Sequence, residues 1–237
     1  MSDSSKKPLW GADNNALVAL LAVNLVVAVT FVFMKVTYYL EGFPAVDFQN
    51  EIYQYVILLP AKLHQAPWTF ISFNWTHDNF WTLFTNLFWL FVFGNILQNV
   101  HANKHLFPIY FYAGLMGGLS YVMMSFGVGS NFIQSPLMGA SMSVSALAIA
   151  ATLLVPRFKL LANIGNGVPV WILSIIYFAL QIATLTNYQF ANSLVAIISV
   201  LTGVVYVLLL KNGIDLGKWM HNLLHWLNKS AAPKTNG

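Results

Sequence analysis

Six long apolar runs constrain the fold of this chain more than any other feature. They fall at residues 16–34, 80–97, 106–126, 138–155, 168–185 and 190–210, and none contains a charged residue. At a rise of ~1.5 Å per residue, a helix of about twenty residues crosses a hydrocarbon core ~30 Å thick. A soluble domain carries about 25% charged residues. Here only 8% are charged and 58% are hydrophobic, so the chain is a polytopic membrane protein. The absence of cysteine excludes disulfides and thiolate metal sites. The net charge of +4, which in a soluble protein would suggest a nucleic-acid partner, is here a matter of topology, and no nucleic-acid partner is expected.

Residues 1–15 form a polar leader with Lys6 and Lys7. The run at 16–34 is too long for the core of a signal peptide and no clear small-x-small cleavage site follows it, so it reads as a retained span. Asn24 within it suggests packing, and Lys35 at its end suggests anchoring at the headgroups. Residues 37–75 mix Glu41, Asp47, Glu51 and Lys62 with Tyr53, Tyr55 and Trp68, a composition suited to the membrane interface. With the N-terminus inside, nine of the eleven basic residues lie on the inner side: Lys6, Lys7, Lys104, Arg157, Lys159, Lys211, Lys218, Lys229 and Lys234. Only Lys35 and Lys62 lie outside. The positive-inside rule then gives an all-α membrane protein, a bundle of six transmembrane helices over 16–210 with both termini cytoplasmic. In a bacterium such a multi-pass protein would sit in the inner membrane.

A cytoplasmic tail, residues 211–237, follows. Leu216, Trp219, Met220, Leu223, Leu224 and Leu227 recur at helical spacing, so 213–228 is expected to be an amphipathic helix on the inner surface. His221 and His225 stand one turn apart, a spacing metals use. No third ligand lies nearby in sequence, which favours a solvated polar face, and no metal or cofactor is expected.

The fourth run opens on Met138-Gly139-Ala140-Ser141-Met142-Ser143 and is rich in small residues. Small residues let neighbouring helix backbones approach closely, which suits the centre of a bundle. A Gly-x-Ser at its start also sets a hydroxyl where helix-end N–H groups favour developing negative charge. Read against the span starts, Asn86 and Ser141 both lie roughly 5–9 Å below the outer boundary. Polar groups at such depth tend to face the bundle or a water-filled cavity, and His77 stands at the mouth. One outward-open polar pocket is the expectation.

Several stretches together resemble the rhomboid family of intramembrane serine proteases. Trp68, Thr76-His77, Asn86 and the run Leu87-Phe88-Trp89-Leu90-Phe91-Val92-Phe93-Gly94 are similar to the family's second span. Tyr112-Ala113-Gly114-Leu115-Met116-Gly117-Gly118 resembles its Gly-rich third helix, and Leu137-Met138-Gly139-Ala140-Ser141 its Gly-x-Ser nucleophile motif. Gly203-Val204-Val205-Tyr206 is similar to the end of its last span, so the resemblance covers about residues 67–213. It implies Ser141 at the nucleophile position, Asn86 at the oxyanion asparagine, and His77 on the oxyanion side of the pocket.

The departures from the family pattern fall on catalytic positions. Thr82 stands where the second histidine of the second span is expected. The Ala-His-x-Gly-Gly of the last span aligns with Val195-Ala196-Ile197-Ile198-Ser199, which puts Ala196 at the general-base position. No histidine, lysine, aspartate or glutamate occurs in residues 160–210. Met142 replaces the glycine that usually follows the serine, and Thr69 the arginine that often follows the loop tryptophan. In a comparable serine enzyme, loss of the histidine alone costs about a million-fold in rate. The resemblance therefore implies a pseudoprotease that binds transmembrane segments of client proteins within the lipid bilayer. Two alternatives stay open: an active rhomboid endopeptidase with a non-standard base, and an unrelated six-helix transporter or assembly protein.

Overall fold

The computed structural model describes residues 16–100, 103–127, 136–161, 167–183 and 190–223. The first helix, α1 (Ala16–Leu40), runs past Lys35 because no breaker interrupts it until Gly42. There the left-handed Gly42 (φ 77°) lets its own N–H reach Tyr39 O and that of Phe43 reach Tyr38 O. These two bonds close the helix as a Schellman motif.

The mixed segment that follows is folded. It holds α2 (Ala45–Glu51), α3 (Thr69–Ser72) and short 3₁₀ turns at Tyr53–Tyr55, Pro60–Lys62 and Phe73–Trp75. Its far end is fixed to the chain before the fourth run: Leu58 and Leu137 exchange backbone bonds at 3.0 and 3.2 Å. Trp68 Nε1 donates to Tyr55 O at 2.9 Å, tying the segment to itself.

Next come α4 (Phe80–Asn99), α5 (Asn103–Gly127) and α6 (Ser141–Leu154), then α7 (Val170–Ala183) and α8 (Phe190–Lys211). A two-stranded antiparallel ladder, β1 (Lys159–Leu160) with β2 (Val168–Pro169), precedes α7. Among the described residues α1, α4, α5 and α8 are long and apolar enough to cross a membrane. The helices α6 and α7 are apolar but have 14 residues each. At ~1.5 Å per residue that is roughly 21 Å, short of a full hydrocarbon core.

The short α6 is the centre of the bundle, packed on α4, α5, α7 and α8. Because its neighbours rather than lipid surround it, its length need not match the bilayer. Its small residues make this possible: Ser143, Val144, Ala146, Leu147, Ala148, Ala150 and Ala151 are completely enclosed. The closest approach is to α8 at Gly203, where an added Cβ would lie 2.6 Å from Ala146 O. Only glycine fits there without moving a helix.

A buried polar network ties α1, the loop before α4, α5 and α6 together. Asn24 Nδ2 donates to the Tyr110 hydroxyl at 3.1 Å, and that hydroxyl donates to Asn74 O at 3.2 Å. Asn74 Nδ2 donates to Ser143 Oγ at 2.8 Å, and Ser143 Oγ donates to Tyr110 O at 2.6 Å. Asn24 thus has the packing role its mid-span position suggests. Buried together, these groups satisfy one another.

Candidate functional site

The site is built where the loop before α4 meets the start of α6. Gly139 sits at φ 91°, a conformation glycine adopts freely, and its N–H donates to Phe73 O at 2.9 Å. This bend delays the helix until Ser141, three residues later than the apolar run begins. It also lets the chain pass close to two polar side chains. A Cβ added at Gly139 would lie 3.4 Å from Asn86 Nδ2 and 3.8 Å from His77 Nε2. The glycine-serine turn therefore forms one wall with Asn86 and His77, each more than fifty residues before it in sequence.

His77 and Asn86 are both buried, 3% and 5% exposed. His77 Nδ1 lies 3.1 Å from Trp75 O. A carbonyl only accepts, so this nitrogen carries the proton. The other ring nitrogen, Nε2, then accepts from Asn86 Nδ2 at 3.1 Å. Burial pushes the imidazole below its ordinary pKa, and the opposing pull of the Trp75 carbonyl and the Asp78 carboxylate does not reverse this. His77 is accordingly a neutral acceptor whose lone pair is taken. Asn86 keeps a second N–H as a donor on the same amide.

Ser141 is partly exposed, and its hydroxyl takes no hydrogen bond among the described residues. Its carbonyl is held instead: Ser145 Oγ donates to it at 2.8 Å and the Tyr177 hydroxyl at 3.1 Å. Gln181 Nε2 in turn donates to Tyr177 at 2.8 Å. Tyr177 packs edge-on against the stacked rings of Trp89 and Phe93, with ring centroids 5.3 and 5.6 Å away. These contacts fix the first turn of α6 from the α4 and α7 sides.

Thr82 is not part of this wall. Its N–H and hydroxyl both bond Asn79 Oδ1, at 2.8 and 3.0 Å, so it completes the N-terminal cap of α4. Ala196 packs on an apolar cluster of Leu58, Phe73, Tyr121, Val122, Leu137, Met142 and Val195. That cluster includes Met142, the residue after Ser141, and position 196 adds a methyl group to it. One turn on, Ser199 Oγ donates to Val195 O at 3.0 Å, and an added Cβ at Gly117 would meet that oxygen at 2.9 Å. The convergence of α5, α6 and α8 here is tight and apolar.

Tyr177, Ser145, Asn74 and Ser143 are the residues that sequence reasoning passed over. Their signal was present: each is a polar group in or beside an apolar run, a placement that needs a partner. At the opposite end of the bundle, His221 does acquire the company its sequence neighbours do not supply. His105, Asp215 and His221 each present a donor atom, all within 4.8 Å of one another.

Fold and site together define a polytopic helical membrane protein with a serine at the head of its central helix and an asparagine–histidine pair beside it. The sequence profile of the Rhomboid domain matches residues 64–213. The chain belongs to the rhomboid family. A comparison with curated proteins finds no match.

Proposed function

We propose that this protein is a rhomboid pseudoprotease, a membrane-embedded scaffold that binds transmembrane segments of client proteins without cutting them. In this reading Ser141 occupies the nucleophile position, Asn86 and His77 form the oxyanion side, and both termini face the cytoplasm. One observation carries it: the wall of Gly139, Asn86 and His77 is intact, while the general-base position, Ala196, holds a methyl group in an apolar cluster. A serine hydroxyl is a poor nucleophile unless a base takes its proton. His77 is a poor substitute, since its free nitrogen already accepts from Asn86.

Binding has a surface to act through. The lipid-facing side of α4 carries Phe80, Trp81, Phe84, Phe88 and Phe91, all exposed from the bundle. Phe80 stacks on Phe84 and Phe84 on Phe88, giving a rigid aromatic ridge suited to an apolar helix. A photo-crosslinking residue at Phe84, in native membranes, should capture client membrane proteins, and Ser141→Ala should leave capture unchanged. Loss of capture in Ser141→Ala, with the protein folded, would contradict the reading.

A further inference from the structure

The inner end of the bundle holds a cluster that the proteolytic scaffold does not use. His105 lies on the first turns of α5, Asp215 in the turn after α8, and His221 in the helical stretch that begins at residue 218. His105 is 5% exposed, and Asp215 and His221 are half-buried. His105 Nδ1 lies 3.7 Å from Asp215 Oδ1 and 3.0 Å from the Tyr206 hydroxyl. His221 Nε2 is enclosed and, among the described residues, has no hydrogen-bond partner. A buried nitrogen left without a partner is costly, and nearly all such atoms in folded proteins find one.

The geometry points to a divalent metal site of the zinc class, held by His105, Asp215 and His221. Two imidazoles and one carboxylate form a donor set that zinc accepts, whereas calcium and magnesium favour oxygen alone. Zinc bonds of ~2.0–2.2 Å in a tetrahedron place donor atoms roughly 3.4 Å apart. The His105–Asp215 pair, at 3.7 Å, is close to that spacing, and the donor atoms of all three residues lie within 4.8 Å of one another. The backbone supports the arrangement: Gly217 N–H donates to Asp215 Oδ1 at 2.8 Å and orients the carboxylate. The Tyr206 hydroxyl, which bonds His105 Nδ1 at 3.0 Å, would give that nitrogen up to the ion.

Such an ion has a structural task here. The segment after α8 is already laid on α5 through the Tyr112 hydroxyl, which donates to Leu216 O at 3.0 Å and accepts from Trp219 Nε1 at 2.6 Å. The metal adds a clasp with ligands more than a hundred residues apart. Binding free energy then becomes stability of the closed inner end.

The test uses the full chain in detergent, purified without a histidine tag, stripped with EDTA and titrated with Zn²⁺ against a chromophoric chelator. A single Zn²⁺ should bind and raise the unfolding temperature. His105→Gln and Asp215→Asn, which keep polar groups at their positions, should each weaken binding by about tenfold or more. Co²⁺ in the unmodified protein should give the intense visible bands of a low-coordinate site. Absence of Zn²⁺ binding, or absence of those bands, would overturn the assignment. So would binding that survives in both His105→Gln and Asp215→Asn but disappears in His225→Ala, which would assign the ion to the tail's own histidine pair.

Discussion

Asn74 anchors the loop that shapes the site, and its removal tests that role quantitatively. The side chain is 4% exposed and donates to Ser143 Oγ at 2.8 Å, while the two residues flanking it hold the wall of the site. Phe73 O receives the Gly139 N–H, and Trp75 O receives His77 Nδ1. Asn74→Ala deletes the bond to Ser143 but spares the Tyr110 bond to the Asn74 backbone carbonyl. Ser143 keeps its acceptor, Tyr110 O, and loses its donor. A lost buried bond with one partner left behind costs about 1–3 kcal/mol. The same side chain fills the groove at Gly114, where an added Cβ would meet Asn74 Nδ2 at 2.8 Å. Gly114→Ala should therefore cost about 1–3 kcal/mol by overpacking, and much less when Asn74 is already alanine. Reversible unfolding in micelles for the two single variants and the double variant measures the coupling. We expect the double variant to be more stable than the summed losses by at least ~1 kcal/mol. Additivity within ~0.5 kcal/mol would refute the packing of Asn74 against Gly114.

Three further outcomes follow from the same site. Gly139→Ala forces a side chain into a left-handed conformation beside Asn86, and should cost about 1–2 kcal/mol with a shift in the His77 NMR signals; unchanged stability would contradict the bend. Burial holds the folded pKa of His77 below its unfolded value, so the unfolded chain binds the extra proton first. Stability is then fully present above pH ~6.5 and declines as pH falls through that value toward the folded pKa, and His77→Gln should make that decline shallower; identical pH profiles would count against it. Finally, if position 196 is the lost base, Ala196→His combined with Met142→Gly supplies a base near Ser141 with room for its ring. Fluorophosphonate labelling of Ser141 should appear in this variant, and a folded double variant that stays unlabelled would contradict position 196 as the lost base.

The membrane class was legible because composition and run length act through simple physics. The central place of α6 was legible for the same kind of reason: Ala146, Ala148, Ala150 and Ala151 have no bulk to keep neighbours away. Comparing depths along the spans put Asn86 and the glycine-serine turn at one level, and the structure brings both beside His77. Helix ends were read less well. Lys35 suggested an end that Gly42 actually sets, and the run at 138 hid the bend at Gly139 that delays α6 to Ser141. The use of Thr82 in a cap was also hidden, since alignment to a family position says nothing of what Asn79 offers locally. Long-range polar closures were out of reach. Nothing in sequence pairs Asn74 with Ser143, or His105 with Asp215 and His221, because only the packing of distant helices decides those meetings.

The central claim is that a serine in the nucleophile position has nothing to take its proton. The most direct measurement is fluorophosphonate labelling of the unmodified protein in native membranes, with Ser141→Ala as the blank. The account predicts no labelling above that blank across neutral and mildly alkaline pH. Labelling that requires Ser141 would contradict it and would establish an active hydrolase with a base other than residue 196.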